Sequence, residues 1–177
     1  MKRSIFFFIL IIVILMGCSS VEISKKEEVY KETALPLEIS NTVKESDIKR
    51  IEWNKTASTF NTGTRSDMFG NKMKLGIIGP ELKTGKIDKW MWHFWGIKEG
   101  KLTIVRYNKK SSIVKPVLYD VSSKKYYWTR DGLGSEVNGA DSHIPSNVLL
   151  NESGKWAFLV YIDDKLFDIL VMDIKQE

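Results

Sequence analysis

Apolar residues after Ile51 recur at alternate positions, and this alternation limits the fold more than any other feature of the sequence. A period of two is typical of β-strands, and no segment beyond Ile51 has the long apolar stripe of an amphipathic helix. Clusters of Gly, Asn, Asp and Ser separate the alternating segments and indicate turns. The pattern therefore predicts an all-β domain over residues 51–177, an antiparallel β-sandwich of about seven to eight strands.

The candidate strands are Ile51 to Phe60, Lys72 to Gly79, Ile87 to Gly96, Leu102 to Asn108, Val114 to Val121, Lys124 to Thr129, Trp156 to Asp163 and Leu166 to Ile174. The last two form the best-defined hairpin, with a turn at residues 163–165. One face of the strand from Trp156 carries Phe158, Val160 and Ile162. Its other face, with Ala157, Leu159 and Tyr161, is also largely apolar, which predicts a central strand covered on both sides.

The stretch from Trp90 to Gly96 is the most unusual in the chain, because alternation places large aromatic residues on both of its faces. One face carries Trp90, Trp92 and Phe94, and the other carries Met91, His93 and Trp95. An exposed row of tryptophans could stack on sugar rings or peptide aromatics. We favour the alternative that both faces are buried, because large aromatics dominate the cores of small sandwiches.

Residues 137–150 are polar and rich in turn formers, which predicts a long loop. Asp141 and His143 in this segment could join His93 in a small acid–base or metal site. We favour a structural role, in which Asp141 and Ser142 bond neighbouring backbone amides and Pro145 stiffens the turn. With two histidines and no cysteine pair, a zinc site is unsupported, and we predict no metal and no cofactor. The common nucleophile-elbow, phosphate-loop and dinucleotide-binding motifs are absent from the sequence.

The N-terminus has the features of a bacterial export signal, predicted over residues 1–17. Twelve consecutive apolar residues, Ile5 to Met16, follow Lys2 and Arg3. A membrane-spanning helix needs about 20 apolar residues, so we favour a signal over an uncleaved helix. The tetrapeptide 15–18 looks like a lipobox, in which the cysteine receives a diacylglycerol and becomes the new N-terminus. Cys18 is therefore the predicted lipidation site, and as the single cysteine it leaves no internal disulfide.

Residues 18–50 are predicted to form the lipidated N-terminus and a flexible linker, because charged residues are frequent there and Phe and Trp are absent. Two alternatives remain open within this segment, an edge strand near Pro36 to Ile39 and a brief helix around Thr42 to Arg50. Removal of the signal lowers the formal net charge from +5 to 25 − 22 = +3. That charge is too small to indicate nucleic-acid binding.

Three motifs resemble those of a known family. They are Trp92-His93-Phe94-Trp95-Gly96, the stretch from Gly139 to Ser146, and Ser153-Gly154-Lys155-Trp156 with Asp164-Lys165-Leu166-Phe167 after it. The sequence from about Trp53 to Ile174 is similar to a lipoprotein family of Gram-positive spore-forming bacteria, the domain of unknown function DUF4871. The resemblance implies an immunoglobulin-like β-sandwich on a lipid anchor and no assigned reaction. The sequence departs from the family at Asp168, where relatives carry Gly, which predicts a change in the geometry of the final strand.

Together these features predict a non-enzymatic binding or accessory module, lipid-anchored on the extracytoplasmic face of the cell membrane. We expect a monomeric domain with a protein or cell-wall ligand and no nucleic-acid partner. The candidate binding surface consists of Trp90, Trp92, His93, Trp95, Asp141 and His143. One alternative is an enzyme acting on wall or peptide material through His93, Asp141 and His143. Another is a protein resembling protease inhibitors, with residues 132–138 as the contact loop.

Overall fold

A computed structural model describes residues 36–177. The predicted signal, the lipidation site at Cys18 and the first part of the linker lie outside the described residues. Within those residues, no helix has the length and apolar character that crossing a membrane requires.

Twelve strands and two short helices make up the described part of the chain. A 3₁₀ helix, Leu37–Ile39, and helix α1, Glu45–Ile48, come first. The strands are β1 (Ser58–Phe60), β2 (Met68–Asn71), β3 (Leu75–Ile78), β4 (Ile87–Phe94), β5 (Leu102–Asn108), β6 (Val114–Pro116), β7 (Leu118–Asp120), β8 (Lys125–Tyr127), β9 (Thr129–Arg130), β10 (Ser142–Leu149), β11 (Gly154–Ile162) and β12 (Lys165–Ile174).

The strands form two antiparallel sheets, which confirms the predicted β-sandwich. The seven-stranded sheet has the order β1-β2-β3-β4-β10-β7-β8, and the five-stranded sheet has the order β12-β11-β5-β6 with β9 also on β5. The strands outnumber the seven or eight predicted. One reason is that Met68–Asn71, a turn region in the sequence prediction, is strand β2.

The chain crosses between the sheets in the middle of two predicted strands. β6 pairs with β5 of one sheet, whereas β7 pairs with β10 of the other, and the buried Val117 lies between them. β8 and β9 cross back in the same way, since β8 pairs with β7 and β9 with β5. Alternation shows which side chains of a strand are buried, but it does not show which sheet each half of the strand joins. Neither crossing could therefore be predicted from the sequence.

The predicted loop over residues 137–150 is wrong, because most of it is the central strand β10. Ser142, Ile144, Ser146 and Val148 are buried at alternate positions. Two of the four are serines, and these polar residues concealed the alternation. Pro145 is tolerated because β7 pairs with β10 only at Val148, so the edge of β10 beside the proline carries no strand. The guanidinium of Arg130 covers this edge and donates to the Pro145 carbonyl.

The predicted hairpin of the last two strands is present as β11 and β12. Asp163 and Asp164 form its two-residue turn with positive φ angles of 48° and 60°, as a hairpin turn matched to the strand twist requires. A β-bulge interrupts the pairing where Val160 pairs with Asp168 and Tyr161 with Leu166. The departure from the family pattern at Asp168 therefore coincides with an irregular strand. The carboxylate of Asp168 accepts a hydrogen bond from Asn71 Nδ2 at 3.0 Å.

The main core lies between the two sheets and is largely aromatic. It includes Trp90, Trp92 and Phe94 of β4, Leu102 and Ile104 of β5, and Trp156, Phe158 and Val160 of β11. Trp90 stacks on Phe158 across the interface, with ring centroids 6.2 Å apart. Each such side chain contributes on the order of 2–3 kcal/mol by burial before the loss of entropy is subtracted.

A second core lies on the outer face of the five-stranded sheet, where the N-terminal segment 36–53 covers β11. Ile39 and Val43 are only 1% and 2% exposed, and they join Ala157, Leu159 and Tyr161 in one cluster. Polar contacts also hold this segment, since Tyr161 Oη donates to Asp47 Oδ2 at 3.2 Å.

Three sequence expectations are settled by this segment. β11 is covered on both faces, as its two apolar faces predicted. The prediction that residues 18–50 are a flexible linker is wrong for residues 36–50, because their few apolar side chains cover β11 in spite of the many charges around them. The brief helix is present as α1, and the alternative of an edge strand near Pro36 is replaced by the 3₁₀ helix.

Candidate functional site

The tryptophan-rich strand β4 does not form an exposed binding platform. Trp90, Trp92 and His93 are at most 1% exposed, and Trp95 is 7% exposed. Trp95 lies on the outer face of the seven-stranded sheet, where Met68 and Ala140 pack with it and its Nε1 donates to Gly139 O at 2.6 Å. The preferred interpretation, that both faces of this strand are buried, agrees with the structure.

The pairing of β4 with β10 brings the two histidines together on the outer face of the sheet. His93 is paired directly with His143, and their ring centroids are 6.5 Å apart. Asp141 lies two residues before His143, but its carboxylate accepts a hydrogen bond from Gly96 N at 2.7 Å. Asp141 therefore has a structural role, but the predicted local turn is wrong, because Gly96 is 45 residues away in the chain, Ser142 Oγ donates to the Ile97 carbonyl, and Pro145 lies within strand β10.

Both ring nitrogens of His93 have hydrogen-bond partners. Nδ1 donates to the Met91 carbonyl at 3.1 Å, and Nε2 accepts from Asn138 Nδ2 at 3.0 Å. Burial lowers the pKa of His93 and favours the neutral imidazole, whereas the hydrogen bond to the Met91 carbonyl acts in the opposite direction. Both ring nitrogens are thus occupied, and the fully buried ring leaves no path for a substrate. Among residues 36–177, no three His, Cys, Asp or Glu residues are grouped so that they could hold a metal ion.

The segment 132–138, considered above as a contact loop, is held against the same sheet face. Gly134 and His143 exchange backbone hydrogen bonds, and the Ser135 carbonyl accepts from His143 Nδ1 at 2.6 Å. Thr62 Oγ1 donates to the Asn138 carbonyl at 3.1 Å. Only the tip at Ser135 and Glu136, together with Gly132, is exposed.

A cleft of about 330 Å³ lies beside β1, β3 and β12. On both sides of the cleft, backbone hydrogen bonds link the β12 region to segments next to β1 and β3 of the seven-stranded sheet. Ala57 N donates to Val171 O at 2.8 Å, and Lys175 N donates to Leu82 O at 3.0 Å. The cleft therefore has a fixed frame and lies near the lower end of the size range of small-molecule pockets.

The floor of the cleft is apolar and its rim is polar. Phe69, Ile77, Leu82 and Trp90 form the apolar part. The exposed rim consists of Thr56, Thr59, Asp67, Glu81, Asp173 and Lys175, and Gly79 and Pro80 complete the wall. An apolar concavity with a few polar groups at its edge is the usual form of a small-molecule site.

Trp90 lines the cleft, and its indole N–H differs from those of the other buried tryptophans. Trp92 Nε1 donates to Ser146 Oγ at 2.9 Å, and the indole nitrogens of Trp95 and Trp156 also have carbonyl acceptors. Trp90 Nε1 is buried and has no partner in the described structure. Buried N–H groups are almost always paired, so this exception needs an explanation.

The backbone at Gly79 packs closely against the edge of the Trp90 indole. A Cβ at this position would lie 2.5 Å from Trp90 Cδ1 and 3.0 Å from Nε1, which is closer than any side chain could be. Of the residues that line this cleft, only Trp90 is among the site residues predicted from the sequence. The Gly79-Pro80 pair is a turn signal that could have indicated the wall. The lining residues, however, extend from Thr56 to Lys175, and local sequence does not show that such distant segments meet.

Comparison with known protein families identifies the family of this chain. A family model described as "Domain of unknown function (DUF4871)" matches residues 43–172. The chain belongs to this family. The match starts before Trp53, where the resemblance was judged to begin, and it includes α1 and part of the segment that covers β11. Among curated proteins, none matches this chain.

Two solved structures are similar to this family member. One is described as a "putative lipoprotein" from Bacillus anthracis and matches with a TM-score of 0.65 and 20% identity over 81% of this chain and 98% of that chain. At this identity the likeness concerns the fold, and it supports the β-sandwich. The other, a "putative lipoprotein" from Staphylococcus aureus, covers 69% of this chain and 98% of its own at 15% identity. Its TM-score of 0.32 is too low to establish a shared fold.

Proposed function

We propose that this protein is a non-enzymatic binding module, anchored by a lipid on the extracytoplasmic face of the membrane, with the cleft at Trp90 as its ligand site. The observation that carries the proposal is a cleft of about 330 Å³ with an apolar floor and a polar rim, framed on both sides by backbone hydrogen bonds. Such a concavity is the usual form of a small-molecule site.

The sequence before the described residues supports the anchor. The lipobox-like residues Leu15, Met16, Gly17 and Cys18 follow an apolar segment of signal-peptide length. A diacylglyceryl group carries two chains, which is what stable membrane attachment requires. The similar protein from Bacillus anthracis is also described as a lipoprotein.

The contacts of the histidine pair favour binding over catalysis. An acid–base residue must reach the proton that it transfers. His93 is buried with both nitrogens bonded, and the carboxylate of Asp141 is turned to the Gly96 amide. The enzyme alternative would need both His93 and Asp141 to leave these contacts.

A fragment screen with two matched variants tests whether the cleft is the ligand site. Thr59 and Ser58 are adjacent exposed residues of β1, but only Thr59 lines the cleft. Both positions tolerate an aromatic residue in a strand, so Thr59→Phe fills the cleft mouth while Ser58→Phe leaves it open. We expect ligand-observed NMR to detect fragments that bind the wild type and Ser58→Phe equally and Thr59→Phe at least about tenfold more weakly. The fragments should be recovered chemically unchanged. Binding that is indifferent to Thr59→Phe, or conversion of a bound fragment, would contradict the proposal.

A further inference from the structure

A basic groove lies beside strand β10 on the seven-stranded sheet, where Lys89 and Arg130 meet. We infer that this groove binds an acidic saccharide, a sugar whose anionic group contacts these two cations. The inference goes beyond the proposed function, because it assigns a second ligand site that shares no lining residue with the cleft at Trp90. It depends on a gap in the sheet, on two accessible cations and on the lining of two adjoining cavities.

The groove forms where β10 lacks a neighbouring strand. On the side away from β4, β10 bonds to Gly134 near its start and pairs with β7 only at Val148 near its end. Pro145 lies between these two points and has no N–H to offer a strand. Arg130 of β9 occupies the gap and donates to the Pro145 carbonyl.

Arg130 is fixed in position and keeps accessible donors. Its backbone pairs with Leu102 of the five-stranded sheet, and its Nη1 bonds to the Pro145 carbonyl. Its Nε and Nη2 have no hydrogen-bond partner among residues 36–177, yet neither atom is buried, in contrast to Nε and Nη1 of Arg106. These N–H groups are therefore open to solvent, and a guanidinium presents the paired donors that match the two oxygens of an anionic group.

Lys89 supplies the second cation. It is exposed on β4 and is paired directly with Asn147 of β10. Lys89 and Arg130 line one cavity of about 240 Å³, together with Pro145, Ser146 and Asn147. Within the described part of the chain, no carboxylate lines this cavity and neither cation forms an ion pair. An anionic group would thus gain two counter-charges without displacing an existing pair.

A larger cavity adjoins this one and fits a hydroxylated ring. Arg130 and Asn147 line both cavities, so the two form one groove. The larger part has a volume of about 600 Å³, and its other lining residues are Asp120, Ser123, Lys125, Tyr126 and Tyr127. Both tyrosines are half-buried, and an aromatic ring packs well against the C–H face of a sugar. The polar side chains around them can bond sugar hydroxyls as donors and as acceptors.

The charge of Asp120 sets the orientation of the ligand. Hydrogen bonds from Ser123 and Ser122 lower the pKa of this carboxyl group, so it is ionised at neutral pH. An ionised carboxylate repels an anion and accepts hydrogen bonds from hydroxyls. The anionic group of the ligand therefore belongs at Lys89 and Arg130, and its neutral ring belongs in the larger part.

Three probes separate the contributions of charge and sugar. A disaccharide of glucuronate and N-acetylglucosamine carries one carboxylate, its methyl ester keeps the sugar skeleton without the charge, and inorganic phosphate is an anion without a sugar. The chain from residue 18 onward with Cys18→Ser keeps every residue of the sandwich and of the segment that covers it. Titrations followed by ¹H–¹⁵N spectra would give the three affinities and the residues that respond.

Two lysine variants form a matched pair. Lys89→Gln removes one cation of the groove, whereas Lys98→Gln changes an exposed lysine that lines neither cavity. Arg130→Lys keeps the positive charge but loses the paired donors of the guanidinium. Thr59→Phe, which fills the mouth of the other cleft, shows whether the two sites are separate.

We expect the acidic disaccharide to bind about tenfold more tightly than its methyl ester or phosphate, with weaker binding at high salt. Lys89→Gln and Arg130→Lys should each weaken it by about fivefold or more, because each removes a charge-assisted hydrogen bond. Lys98→Gln and Thr59→Phe should leave its affinity unchanged. If Arg130→Lys fails to fold, the exposed substitution Lys89→Gln still decides.

Several results would overturn the inference, and each is distinct from failure of the proposed function. Equal affinities for the acid and its ester, no binding of the acid, or phosphate binding as tight as that of the acid would refute the ligand class. Binding that Lys89→Gln leaves intact, or that Thr59→Phe abolishes, would refute the groove as the site. Whether neutral fragments bind in the cleft at Trp90 is decided separately by the fragment screen.

Discussion

His93 illustrates at the scale of one residue why sequence alone misjudged the candidate site. A histidine flanked by tryptophans on an alternating strand is equally consistent with a surface ligand group and with a core residue. The deciding contacts come from Met91, two residues away, and from Asn138, which is 45 residues distant along the chain. Only the first of these could be anticipated from local sequence.

Burial of His93 should make stability depend on pH. Because burial lowers its pKa in the folded state below the ordinary value of 6.5, the unfolded chain takes up the proton first as pH falls. The free energy of unfolding should therefore decrease below about pH 6.5, by up to about 1.4 kcal/mol per pH unit from this residue. Urea unfolding between pH 7 and pH 5 should show a shallower decrease for His93→Gln than for the wild type or His143→Gln. Superimposable profiles for all three proteins would contradict this explanation.

Arg106 is a buried charged residue that packs on the main core. It is 1% exposed, its guanidinium lies 4.5 Å above the Trp156 ring, and Nη2 donates to Asn151 Oδ1 at 2.5 Å. Nε and Nη1 have no partner, and burial lowers the pKa of this arginine. A sequence pattern cannot predict such a residue, because an arginine on an alternating strand is normally exposed.

Replacing Arg106 by an uncharged residue should lower the free energy of unfolding less than removing its hydrogen-bond acceptor, Asn151. Arg106→Met fills the same space without a buried charge, so we expect a free energy of unfolding equal to that of the wild type within about 1 kcal/mol, or higher. Asn151→Ala removes the hydrogen-bond acceptor of the buried guanidinium and should lower the free energy of unfolding by about 1–3 kcal/mol. Chemical unfolding of both variants measures the difference. The reverse order would show that the arginine stabilises the fold.

At the scale of elements, the sequence predicted strands well where apolar side chains alternate without interruption. β5, β11 and β12 agree closely with the predicted ranges. β10 was missed because serines occupy two of its core positions, and only Ser58–Phe60 of the predicted strand from Ile51 is a strand. The covering segment was missed for a related reason, since its apolar residues are few and lie among charges.

The covering segment should contribute measurably to stability. Ile39→Ala removes a buried side chain from the outer core, and we expect a loss of about 2–4 kcal/mol in the free energy of unfolding. Glu38→Ala changes an exposed neighbour in the same 3₁₀ helix and should alter it by less than about 0.5 kcal/mol. Equal and small effects of the two variants would indicate that residues 36–50 form a linker after all.

For the whole molecule, the fold class followed from the sequence but the proposed ligand site did not. Periodicity identifies which side chains face a core, and that is sufficient for a sandwich. The cleft is assembled from β1, the wall at Gly79 and the end of β12, and its position depends on how the two sheets meet at their edges. That arrangement leaves no periodic signal in the sequence.

The proposed function joins the β-sandwich to a lipid at residue 18, and the chemistry of that residue tests it most directly. Intact-mass spectrometry of the mature protein, extracted from the membranes of a Gram-positive host that expresses the full chain, measures it. We predict a chain that begins at Cys18 and carries a diacylglyceryl group. A mature chain with an unmodified thiol at Cys18, or one that begins at another residue, would contradict the account.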